Sequence, residues 1–75
     1  MTKTTWTYMV AGHEMEDMTA FGTAWQWAKE MARQTGDEIH RIEHRPGRPD
    51  RRQFYAKGGC FLSEDCYEPT RAYHF

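Results

Sequence analysis

Leucine and valine, the usual filling of small protein cores, are almost missing from this chain: Leu62 and Val10 stand alone. A core must therefore be assembled from Trp, Tyr, Phe, Met, Ile and Ala. Aromatic side chains bury large areas each, so a few can anchor a small domain. Cysteine is limited to Cys60 and Cys66, too few for a secreted disulfide framework. The expectation is two free thiols in a reducing compartment. No stretch approaches the roughly 18 apolar residues of a membrane span. The opening "MTKTTWTYMVAG" lacks the apolar block that follows the basic residue of a signal peptide. These absences lead to the expectation of a cytoplasmic protein without membrane contact. The 75 residues suffice for one domain, 1–75, with neither repeats nor low-complexity segments. A chain of this size buries only about 60–65% of its unfolded surface.

What is present is strongly patterned. In "TWTYMV" (5–10), Trp6, Tyr8 and Val10 alternate with Thr5, Thr7 and Met9, the period of a strand. "AGH" reads as a turn and "HEMEDM" as a short second strand. In "TAFGTAWQWAKEMARQTG" (19–36), Phe21, Ala24, Trp25, Ala28, Met31 and Ala32 form the apolar stripe of an amphipathic helix. Thr19 is the expected N-cap and Gly36 the stop, although Gly22 can move the start to Thr23. The alanines at 24, 28 and 32 let the helix lie close to a sheet carrying large aromatics. Trp27 falls at the edge of the stripe, as a boundary core residue or as an exposed aromatic.

"DEIHRIEHR" places His40, Ile42 and His44 on one strand face, with Ile39 at its start; a bulge is the alternative. Pro46-Gly47 makes a turn and "RRQFYAK" a return strand, with Phe54 and Tyr55 on opposite faces. Gly58-Gly59 ends it. Short strands are expected at 60–62 and around Tyr73 to Phe75. The expected fold class is α+β: one amphipathic helix, about 19–35, on one face of an antiparallel sheet of three to five strands. The stripe is expected to face Trp6, Tyr8, Val10, Ile42 and an aromatic from 54 or 55.

The formal net charge of −1 hides a dipolar chain. Residues 14–38 hold six acids against two bases, and residues 41–57 six bases against two acids. "RPGRPDRR" alone carries Arg45, Arg48, Arg51 and Arg52. A hairpin tip needs solvation, and charge there discourages edge aggregation. Yet the chain uses seven Arg against three Lys, and arginine presents a planar fork matched to carboxylate and phosphate. Pro46 and Pro49 stiffen the loop and lower the entropy lost on docking. The four arginines, with Tyr55 and Trp27 as aromatic anchors, are therefore the expected binding residues.

Other chemistries fit less well. His40-x3-His44 with Cys60-x5-Cys66 has the elements of a zinc site, but on a strand the two histidines stand roughly 13 Å apart. Cysteine, histidine and acid residues are present for a thiol nucleophile, but nothing local marks a nucleophile turn. "KGGCF" lacks the residues of a phosphate loop. The expectation is a protein without catalysis, metal or cofactor. An arginine hairpin over 41–57 with Phe54 and Tyr55 for stacking is the nucleic-acid alternative, although a sequence pI near 6.4 opposes it. A protein or ribonucleoprotein partner suits the dipolar surface and the surplus aromatics, Trp27, Tyr67, Tyr73, His74 and Phe75.

In size and element order, "TYMVAG", the "AWQWAKEMA" helix and the "EIHRIEH…QFYAKGG" hairpin resemble small phage- or mobile-element-encoded inhibitors of the anti-CRISPR type. The resemblance spans most of residues 5–59. It implies a protein that works by occupying the surface of another macromolecule, and it carries over no individual residues.

Overall fold

The computed structural model describes residues 3–67. Five strands and one helix follow in the order β1 (Thr5–Val10), β2 (His13–Asp17), α1 (Thr23–Thr35), β3 (Ile39–His44), β4 (Asp50–Tyr55) and β5 (Phe61–Tyr67). The strands form one antiparallel sheet in the order β2-β1-β3-β4-β5. Ala11 and Gly12, both at positive φ (52° and 82°), make the tight turn between β1 and β2; its twist matches that of the flanking strands. This is the expected α+β domain with a helix on one sheet face.

The helix starts at Thr23, and its cap comes from elsewhere in the chain. Gly22 occupies the N-cap position without a side-chain bond. Asp17, at the end of β2, supplies the acceptors instead: Oδ2 takes the Ala24 N–H at 2.9 Å and Oδ1 the Thr19 N–H at 3.0 Å. A Cβ at Gly22 would stand 3.1 Å from that carboxylate and from Thr19 Cβ, so the loop 18–22 leaves little room for a side chain there. At the other end Gly36, at φ 81°, donates its N–H to the Ala32 carbonyl.

Ala24, Ala28 and Ala32 are fully buried against Tyr8, Val10, Ile39 and Tyr55, with Trp6, Met15, Trp25, Trp27 and Met31 packed around them. Two expected core positions change. Phe21 precedes the helix and is 53% exposed. Ile42 is buried at 2% exposure, but its cross-strand neighbours Thr7 and Arg52 place it on the face away from the helix. Strand parity demands this, because Ile39 takes the inward position and residues of opposite parity point the other way.

The helix backbone lies over β1, β2 and β3 and does not approach β4 or β5. The sheet therefore overhangs the helix on one side. β5 runs well beyond the expected 60–62; the strand expected around Tyr73 to Phe75 lies outside the described residues. Among the described residues no helix is long and apolar enough to cross a membrane.

Candidate interaction surfaces

The hairpin β3–β4 disperses its arginines. Arg45 folds onto its own turn, donating from Nε and a terminal nitrogen to the Pro49 carbonyl at 3.2 and 2.7 Å. Arg48 is exposed at the tip. Arg51 points to the helix side and grips Glu43 with two bonds at 3.0 and 2.8 Å, which raises the guanidinium pKa further. Arg52 points to the opposite face, over the Phe54 ring at 4.8 Å and 2.7 Å from His40 Nδ1. Adjacent strand residues face opposite ways, so the four cannot form one patch. Tyr55 is only 6% exposed and packs edge-on against Trp25 at 4.9 Å. The ring expected as an aromatic anchor thus lies in the core. Trp27 is half-buried against the same core.

A different set of residues does converge. Where the sheet overhangs the helix, Phe21, Trp25, Tyr55 and Phe61 form a chain of edge-to-face rings, with successive centroids 5.2, 4.9 and 5.5 Å apart. The middle members anchor in the core, while Phe21 and Phe61 are 53% and 54% exposed. Two cations border the chain. The Arg41 guanidinium lies 4.3 Å over Phe21, and Lys29 Nζ lies 5.6 Å over Trp25. Arg41 itself is buried; Nε donates to the Tyr8 hydroxyl at 3.0 Å, and Nη1 donates to Gln53 Oε1. The sequence places Phe21 in the helix stripe and Phe61 in a short strand at 60–62, with nothing to join the two. The available signal was Gly22, which by delaying the helix leaves Phe21 outside it.

The helix-free face carries a second cluster. His44 Nδ1 stands 2.8 Å from Asp50 Oδ2, and Nε2 stands 2.8 Å from Thr7 Oγ1. An ionised carboxylate only accepts, so Nδ1 donates to Asp50, and in the neutral imidazole Nε2 accepts from the threonine hydroxyl. The arrangement ties β1, β3 and β4 together beside the hairpin tip. The chain position of His44 and Asp50, flanking "RPGRP", was the signal for this pair; Thr7 required knowing that β1 lies next to β3. His40, beside Arg52, has its pKa lowered first by burial and then by that guanidinium.

Cys60 and Cys66 are both free thiols. Compared with known proteins, the chain matches no family model, no curated protein and no solved structure. Its function is therefore argued from these surfaces.

Proposed function

We propose that this protein is a non-catalytic binding protein of the cytoplasm. It occupies a surface of a larger protein or ribonucleoprotein complex and inhibits it, as the likeness to anti-CRISPR-type inhibitors implies. The contact surface is the aromatic ledge of Phe21, Trp25 and Phe61. The observation that carries this reading is that ring chain, running from the core to two phenylalanines that are more than half exposed. Rings held by neighbours lose little freedom on docking, and aromatic and arginine groups dominate interface energetics. The hairpin arginines contribute at the rim, where Arg48 is the exposed member.

The test compares wild type with Phe21→Ser/Phe61→Ser and with Arg45→Ala/Arg48→Ala in affinity capture from the source cell or its host, after matching melting curves. Loss of a specific partner with the phenylalanine variant supports the ledge. Loss only with the arginine variant moves the contact to the hairpin tip. A mobility shift with nucleic acid that weakens steeply with salt would replace this reading with the nucleic-acid alternative.

A further inference from the structure

We infer that β5 is a docking edge for an extended, basic segment of the partner protein, which joins the sheet as a strand alongside β5. The inference rests on the reading that the protein binds another protein, and it names the chemistry of that partner.

Among the described residues β5 closes one side of the sheet, and at seven residues it is the longest strand. Residues 61–66 are all exposed. Proteins commonly guard such edges with proline, a mid-strand bulge or charged side chains, lysine above all. The sequence of β5, FLSEDCY, has neither proline nor lysine. Its irregularity falls at the start: Phe61 pairs with Tyr55 and Ser63 with Phe54, which leaves Leu62 as the extra residue and Ser63–Tyr67 in unbroken register with β4. The other edge, β2, is shorter, and its Asp17 is committed to capping the helix.

Charge selects the occupant. Glu64 and Asp65 are neighbours and so face opposite sides of the sheet. Asp65 is exposed and stands opposite Arg52 in the register with β4, while Glu64 accepts from Gln53 Nε2 at 3.3 Å and stands 3.8 Å from Arg51. A symmetric pairing of two copies centred on either residue would set a carboxylate opposite its own copy, which is destabilising. A strand with successive basic residues satisfies both faces, and an apolar side chain near its end would land on Phe61. Main-chain bonds supply the affinity and the side chains the selection, as in other strand additions.

The probe is a synthetic peptide of repeating Val-Lys-Lys-Val, titrated into the labelled protein and followed by amide NMR. The expected result is saturable binding with shifts concentrated at 61–67, weakened about tenfold or more in high salt or by Glu64→Lys/Asp65→Lys. A peptide N-methylated on alternate amides along the docking edge should lose binding. Absence of saturable binding, shifts centred elsewhere, undiminished binding of the methylated peptide, or self-association of the protein in place of peptide binding would each overturn the inference. If the phenylalanine variant loses its cellular partner while the peptide leaves β5 unmoved, the binding function stands and the edge assignment falls.

Discussion

Arg41 is a cation at 5% exposure whose hydrogen-bond acceptors among the described residues are all neutral: the Tyr8 hydroxyl, the Ala20 carbonyl and Gln53 Oε1. The Phe21, Trp6 and Tyr8 rings surround it. Burial raises the Tyr8 pKa, opposed by Arg41. Removing an acceptor from a buried charged donor is expensive, so Tyr8→Phe should lower stability by about 1–3 kcal/mol in urea unfolding. An unchanged midpoint would show that the guanidinium does not need that hydroxyl. Asp17 makes a pH-dependent contribution. Its bonds from Ala24 and then Thr19 hold its pKa below the ordinary 3.8. The folded state therefore gives up this proton more readily than the unfolded chain. Its stabilisation is complete above the unfolded value and is lost as pH falls through the folded one. Asp17→Asn should flatten the acid limb of the stability profile while leaving any His-linked slope nearer neutral pH in place. An acid limb identical to wild type would remove Asp17 from that role.

The helix and its neighbouring turns yield predictions in which backbone and packing separate. Gly36 takes φ 81° in open space, so Gly36→Ala should cost about 1 kcal/mol, a purely conformational loss. Gly59 takes φ 100°, and a Cβ there would also meet the Trp25 ring at 3.1 Å and Lys29 at 3.2 Å. Gly59→Ala should therefore destabilise more than Gly36→Ala in paired thermal melts; equal losses would mean that Trp25 yields freely. Trp25 joins the helix to Tyr8, Tyr55 and Phe21, and Trp25→Ala should cost about 3–5 kcal/mol. A loss that large would unfold much of a domain of this size, and an unshifted melt would contradict the packing described.

At the scale of the molecule, one core joins both layers: the same Tyr8, Val10 and Ile39 that bind the helix also lie in two adjacent interior strands, β1 and β3. Unfolding should be a single cooperative transition, with circular dichroism and tryptophan fluorescence giving the same midpoint. A helix signal lost before the fluorescence would show a layer that melts alone. The molecule is also asymmetric. The helix covers one part of the sheet and leaves β4 and β5 overhanging, and both proposed contact surfaces lie on that side.

Much of this architecture is local physics and was legible in the residues. Alternation in "TWTYMV", the alanines at 24, 28 and 32, Gly36 and the Pro46-Gly47 turn each restrict backbone angles or select a buried face within a few positions. From them came the helix, the hairpin and the α+β class. What depends on residues distant in the chain was not legible. The adjacency of β1 and β3 assembles Thr7, His44 and Asp50, and also brings Arg41 beneath Tyr8. β5 extends through Ser63, Glu64 and Asp65, poor strand formers, because β4 supplies a ladder for them. Arg51 and Arg52, one basic run in the sequence, part to opposite faces as soon as the strand forms. The proposed contact surface is legible only in three dimensions for the same reason: Phe21 and Phe61 are forty residues apart, and they share one ledge only because Trp25 and Tyr55 pack between them.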